Sequence, residues 1–239
     1  MPITSPHNDK LKEMRKLASR RRERERSGRF VAEGEDLLAA ADAAGWTAVE
    51  RFCAAGSGLA GVEVEPSLLA GVSGLGSGTR AMAVYEERWA PEAVGPVCVY
   101  LHGVADPGNV GTVLRSAQAF AAGSVALGPG CADPFSPKAV RASMGAVFEV
   151  ALARVSTIAQ LPGRTVALDA GAGVALAQLA REPGVPVSLL IGAERDGLPA
   201  EVLTSADAVA HIPIATHSLN AAMAATIALY ELARRMAPA

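Results

Sequence analysis

The sequence predicts an α/β protein in two units, a small amino-terminal α/β domain over residues 1–90 followed by a larger parallel-sheet domain over residues 97–239. Three observations carry this. From Val97 to Ile191, short apolar runs of strand length alternate with amphipathic stretches of helix length, a pattern that builds a parallel sheet covered on both faces. Half of the 239 residues are apolar, enough for a substantial core. Between the two regions runs WAPEAVGP, Trp89 to Pro96, whose two prolines and one glycine read as the connector.

In chain order, residues 1 to 8 lack periodicity and read as a loose tail. Lys10 to Arg26 reads as one charged helix, with Leu11, Met14 and Leu17 as its sparse apolar face and Gly28 as its stop. Phe30 to Ala32 follows as a strand and Glu33 to Ala44 as a helix. Val49 to Cys53, Val62 to Val64 and Ala81 to Tyr85 are strand candidates, with a helix near Pro66 to Ala70. In the second unit, strands are expected at Val97–Leu101, Val125–Leu127, Phe148–Leu152, Thr165–Leu168, Val187–Ile191 and Val209–Ile214. Helices are expected at Asn109–Ala122 and Pro137–Met144, and a long one runs from Leu219. On that last helix Leu219, Met223, Ile227 and Tyr230 share one face, while Leu229 and Leu232 add a second. Two apolar faces are more than one sheet surface covers, so the pattern predicts a second copy of the chain against it.

The net charge of −2 conceals an asymmetry. Residues 10 to 29 carry ten Lys or Arg against three Glu, a local charge of +7, and the remainder carries −9. A basic cluster containing Arg20, Arg21, Arg22 and Arg24 would neutralise nucleic-acid phosphates, or would simply be a solvated helix with Glu interleaved. Cys53, Cys98 and Cys131 are odd in number and lack CxxC spacing, which argues against a disulfide framework or a zinc site and fits a reducing cytoplasm. No amino-terminal apolar segment resembles a signal peptide, and no apolar run is long enough to span a bilayer. No metal is expected.

Three stretches carry chemistry. In DPGNVGTVLRSAQAF, Pro107 and Gly108 make a turn, Asn109 is placed to cap the helix, and Arg115 is left on the polar face with Thr112 and Ser116. In LLIGAERDGLP, an apolar strand empties into a turn where Gly192 and Gly197 flank Glu194, and glycines there let backbone groups approach a ligand closely. In HIPIATHSLNAAM, Ser218 or Asn220 supplies a helix cap; both are equally at home in a site. Between the first two, Lys138 and Arg141 leave one end of a short helix, where they either hold phosphates or are surface charges. His217 has a pKa class suited to a general base and is otherwise loop scaffolding.

Together and in this order, the three stretches resemble the motifs of the SpoU branch, also called TrmH-type, of the SPOUT RNA methyltransferases, over roughly residues 97 to 236. The first unit, with FVAEGEDLL, is similar to the RNA-binding domain that often precedes the SpoU catalytic domain. The resemblance implies a SPOUT domain with a carboxy-terminal trefoil knot. It implies transfer of a methyl group from S-adenosylmethionine to a ribose 2'-hydroxyl of ribosomal or, second, transfer RNA. It implies that Arg115 acts on the ribose 2'-hydroxyl, that Asn109 is a catalytic residue of the same motif, and that backbone groups at Gly192, Ile212 and Leu219 hold the cofactor. By the same resemblance, Glu194, Ser218 and Asn220 complete the site, with Glu194 fixing loops or a subunit interface. It further implies a homodimer in which Arg115 of one subunit faces the cofactor of the other. Guanidinium does not readily lose its proton, so Arg115 is expected to act as a fixed positive charge rather than a base. One departure stands out: the segment between Pro213 and Ser218 is shorter than the family commonly has. The alternative reading is therefore an RNA-binding protein of this fold that has lost cofactor binding.

Overall fold

In the computed structural model, which describes residues 1–74, 78–180 and 182–236, the chain forms two sheets. The first unit runs through α1 (Asp9–Ser19), α2 (Arg21–Ser27), β1 (Arg29–Glu33), α3 (Glu35–Ala43), β2 (Glu50–Ala54), β3 (Val62–Val64), α4 (Pro66–Ala70) and β4 (Ala81–Glu86). Its sheet has the order β1-β4-β2-β3, with β4 antiparallel to both of its neighbours. Leu11, Met14 and Leu17 of α1 are buried against Val31, Phe52 and Val84 of this sheet, as their spacing requires. The tail is tied down rather than loose. Ile3 donates to Glu63 O and accepts from Glu65, adding a bridge beside β3, and Asn8 caps α1.

The single charged helix expected over Lys10 to Arg26 is two helices. Arg20 has extended backbone, φ −128° and ψ 112°, which separates α1 from α2. The cause lies at Arg24, whose guanidinium turns inward and donates to Leu17 O at 2.6 Å, satisfying a carbonyl that the end of α1 leaves open. The same side chain pairs with Asp133 at 2.6 Å and is 4% exposed. Gly28 then ends α2 in the left-handed conformation, φ +63°.

The second unit comprises β5 (Val97–Leu101), α5 (Pro107–Ala119), β6 (Ser124–Leu127), α6 (Pro137–Ser143), β7 (Ala151–Arg154), β8 (Arg164–Leu168), β9 (Val187–Ile191), α7 (Ala200–Ser205), β10 (Ala208–Ala210) and α8 (Ala221–Met236). Its six strands are all parallel, in the order β10-β8-β9-β5-β6-β7. Alternate residues divide the faces. Val97, Val99 and Leu101 share a core with α5 and α8, while Cys98 and Tyr100 share one with Val202 of α7. The expected strand Phe148–Leu152 is displaced. Ala146–Phe148 is a 3-10 turn and the strand starts at Ala151, because Phe148 is drawn into an aromatic cluster and Trp46 Nε1 donates to its carbonyl at 2.7 Å. Likewise β10 stops at Ala210, short of the expected Ile214, and α8 begins at Ala221 rather than Leu219.

Six of the chain's ten aromatic residues meet where the two sheets join. Phe30, Trp46 and Tyr85 of the first unit pack on Phe135 and Phe148 of the second, and Trp89 of the connector stands edge-on to Phe135. Such pairs each add about 0.5–1.5 kcal/mol beyond their buried area, so the junction is continuous core. The buried Arg24–Asp133 pair crosses the same junction. None of the described helices is long and apolar enough to cross a membrane.

Candidate functional site

The strand order reverses between β5 and β9: from β5 the chain builds outward to β6 and β7, then returns to lay β8, β9 and β10 on the other side. In open α/β sheets, ligands sit outside the carboxyl ends of the strands at such a reversal. The motif segments leave those ends. The turn at residues 106–109 follows β5, the Gly192–Gly197 loop follows β9, and the segment before α8 follows β10.

At the start of α5 the cap is Asp106, not the expected Asn109. Asp106 Oδ1 accepts from Asn109 N at 3.1 Å, and Pro107 occupies the first helical position, where a missing N–H costs nothing. Lys138 Nζ donates to Asp106 Oδ2 at 2.6 Å. That bond, with backbone N–H groups of Asn109 and Gly108, holds the Asp106 carboxyl below the usual carboxylate range. Because the cap is another residue, the Asn109 side chain is free to reach across the site. Its Nδ2 donates to Glu194 Oε1 and its Oδ1 accepts from Asn220 Nδ2 at 3.1 Å. Asn220 in turn caps α8, its Oδ1 accepting from Ala222 N at 2.9 Å and Met223 N at 3.3 Å. Every amide orientation follows from this chain of bonds, since a carboxylate only accepts and a cap oxygen is already committed. Glu194, Asn109 and Asn220, one from each motif, are thus a single network, and Ser218 is left free of capping.

Beside the network lies a cleft of about 310 Å³ that brings together Gly192, Glu194, Ile212, His217, Ser218 and Leu219. Gly192 is required by packing: a Cβ there would stand 2.2 Å from Gly197 C. Gly197 has φ +66° and closes the turn through reciprocal backbone bonds with Ala193, which hold Glu194 at the tip. Backbone N–H and C=O groups of Gly192, Ile212 and Leu219 have no partner among the described residues, so each has hydrogen-bonding capacity to offer a ligand. The walls are apolar at Ile191, Ile214 and Ala224 and carry three carboxylates, Asp169, Glu194 and Asp196, against Arg195 and His217. This suits a ligand with an apolar ring, a polar edge and positive charge. No group of three or more potential metal ligands occurs among the described residues.

Arg115 is not on this cleft. It lies on the exposed side of α5, six residues beyond Asn109 and therefore about 9 Å along the axis. No ion pair or hydrogen bond engages it among the described residues. Ser116, expected on the same polar face, instead points into the protein and meets Thr226 of α8 at 2.6 Å, and Thr112 bonds back to Gly108 O. Of the two apolar faces of α8, the chain covers one: Leu229 and Leu232 are buried, while Met223, Ile227 and Tyr230 are 56%, 39% and 55% exposed.

The candidate RNA-binding residues divide. Arg20 and Arg22 are exposed and form no ion pair among the described residues, and Arg21 binds Glu25 at 2.8 Å. Arg24 is corrected from a phosphate ligand to a buried structural cation, because Asp133 and Leu17 O consume it. Lys138 is paired with Asp106, and Arg141 with the buried Glu33. Sequence reasoning missed Asp106 and Asp169. The Asp-Pro pair is a helix-start signature and Asp169 directly follows a strand, so both had a local signal. Glu33 had none, since its partner is 108 residues away.

Comparison with known proteins identifies the family. Residues 96–230, more than half the chain, match the SpoU rRNA Methylase family, and residues 8–76 match the MRM3-like substrate binding domain. Among curated proteins, a 23S rRNA (guanosine(2553)-2'-O)-methyltransferase of Bacillus subtilis is 28% identical, covering 96% of this chain and 98% of its own. Among solved structures, an AdoMet-bound rRNA methyltransferase from Sinorhizobium meliloti superposes with a TM-score of 0.89 at 30% identity, covering 100% of this chain and 99% of the other. The SpoU methyltransferase AviRb of Streptomyces viridochromogenes, in complex with AdoMet, gives 0.84 at 27% identity over 96% and 98% of the two chains. With its motifs joined in one network beside a ligand-sized cleft, the chain belongs to the SpoU rRNA methylase family.

Proposed function

We propose that this protein transfers a methyl group from S-adenosylmethionine to a ribose 2'-hydroxyl of RNA, with ribosomal RNA as its substrate class ahead of transfer RNA. The observation that carries this reading is the Glu194–Asn109–Asn220 network, which seats three distant motifs beside a cleft with available backbone groups. When bound, the cofactor supplies an electrophilic methyl group on a sulfonium centre. The chain's own residues do the rest. Backbone at Gly192, Ile212 and Leu219 offers hydrogen bonds to a purine edge, the apolar walls exclude water, and Asp169, Glu194 and Asp196 favour a cation. The short turn before Ser218 is compatible with this, because the cleft keeps about 310 Å³ with Ser218 on its wall.

Arg115 acts in this reading as a fixed positive charge that grips the neighbouring phosphate and stabilises the developing alkoxide, the proton passing to phosphate or water. Its distance from its own cleft supports a site shared between two copies. The exposed Met223, Ile227 and Tyr230 stripe, at i, i+4 and i+7 of α8, would be the self-complementary seam.

Titration with S-adenosylmethionine and mapping of 2'-O-methyl sites in total RNA, with and without the protein, test the reading. Saturable binding and at least one protein-dependent methylated nucleotide are expected. RNA binding without cofactor binding would instead establish the non-catalytic alternative.

A second expected result separates the basic residues. Replacing Arg20 and Arg22 by Gln leaves Tm unchanged and flattens the plot of log affinity against log salt by about two, one per phosphate contact. Arg24→Gln breaks a buried pair, costing about 3 kcal/mol and lowering Tm by roughly 6–12 °C. Thermal melts and RNA titrations at several salt concentrations check both.

A further inference from the structure

A second and roomier cleft, about 570 Å³, lies away from the motif network, where α1, β1, β4 and the loop at residues 71–74 face α6 and the first residue of α5. Its floor is apolar, made by Val31, Val72, Met82 and Val140. Its rim carries Arg15, which donates to Pro6 O and has no ion pair among the described residues, with Lys138 and Arg141, which are paired with Asp106 and Glu33 and keep further donors to offer. One carboxylate, Glu33, lines it, and that group is spent internally. Glu33 accepts from Arg141, from Ser73 Oγ at 2.8 Å and from Gly74 N at 3.0 Å, and is itself 6% exposed. A single buried carboxylate thereby ties β1, the 73–74 loop and α6 together, so the cleft is braced before anything enters it.

The two clefts share one turn. Pro107 lines the second, while Asp106 both caps α5 and holds Lys138 on the rim of the second; Asn109, in the same turn, belongs to the motif network. Whatever occupies the second cleft is therefore anchored to the helix that carries Asn109 and Arg115.

We infer that this cleft takes one unpaired nucleotide of the substrate RNA, its base against the apolar floor and beside the Arg141 guanidinium, its phosphates on Arg15 and Lys138. This rests on the reading that RNA is the substrate. The chemistry selects the occupant. An apolar floor with a cationic rim matches a base face flanked by phosphates, and guanidinium planes are stacking surfaces for splayed bases. The volume is that of a small-ligand site. A duplex hides its base faces and presents phosphates and 2'-hydroxyls alone, which would leave the floor unused. The substrate class is thus RNA with an unpaired nucleotide close to the methylated one.

The test uses the full-length protein, a short fluorescein-labelled single-stranded RNA of mixed sequence, and the same RNA annealed to its complement. Ala18→Trp places an indole on the partly buried wall formed by α1, and Ser19→Trp, at an exposed position on the same wall, stands in if the first fails to melt cooperatively. The parent is expected to bind the single strand more tightly than the duplex. Ala18→Trp should weaken single-strand binding on the order of tenfold with an unchanged salt slope, and Arg15→Gln with Lys138→Gln should flatten that slope by about two. Affinity for S-adenosylmethionine should be unmoved in all of them. Equal binding of duplex and single strand, or single-strand binding indifferent to both tryptophan variants, overturns the inference. Its failure is separable from that of the proposed activity. Methyl transfer with tryptophan-indifferent binding sinks the cleft alone, whereas tryptophan-sensitive binding without methyl transfer sinks the activity alone.

Discussion

Arg115→Ala is expected to lower turnover by about 10²–10³-fold, some 3–4 kcal/mol of transition-state stabilisation, while the affinity for S-adenosylmethionine stays at the parent value. The separation follows from position. Arg115 does not line the cofactor cleft, has no partner whose loss would unsettle the fold among the described residues, and sits on the exposed side of α5. In the proposed reading its removal takes away a positive charge from the acceptor and nothing from the donor. Arg115→Lys should recover little, because an ammonium cannot reproduce the planar, two-pronged grip on a phosphate. Single-turnover methylation beside cofactor titration checks this, and parent-like turnover in Arg115→Ala would remove the residue from the mechanism.

Mixing two inactive variants should restore activity. One is Arg115→Ala; the other is Ala224→Trp, which fills the cofactor cleft from the wall formed by α8. Ala224 is preferred to Asn220 here, since Asn220 caps the helix and its loss would disturb more than the cleft. If Arg115 of one copy serves the cleft of the other, each mixed dimer contains one intact composite site and one doubly damaged one. Random exchange of equal amounts then yields about a quarter of the parent activity. The physical ground is the apolar stripe on α8, whose Met223, Ile227 and Tyr230 are exposed while Leu229 and Leu232 are buried. Sedimentation as a monomer at assay concentration, or silence after proven exchange, would contradict a shared site.

The sequence by itself determined the class of the fold and the grouping of the motifs. Period-two and period-3.6 patterns at Val97–Leu101, Val187–Ile191 and along α5 answer to burial, and burial is recorded in residue type at each position. The three ordered motifs were legible through their resemblance to a family, and two of their glycines have a physical reason: a side chain at Gly192 would collide with Gly197, and Gly197 itself holds φ +66°. What only the tertiary structure decided are the pairings between distant segments. Arg24 looked like its neighbours Arg20 and Arg22, and only the arrival of Asp133 at the end of α1 makes it a buried structural cation. Asn109 looked like a cap, and only Asp106 taking that role releases its amide to join Glu194 and Asn220. Of the two apolar faces of α8 the pattern could not say which one the chain itself covers, and only the packing of Leu229 and Leu232 into the core leaves Met223, Ile227 and Tyr230 as the exposed one. In each case the side chain's chemistry was visible in the sequence but its partner was not, since hydrogen bonds and ion pairs depend on distance in space rather than separation along the chain.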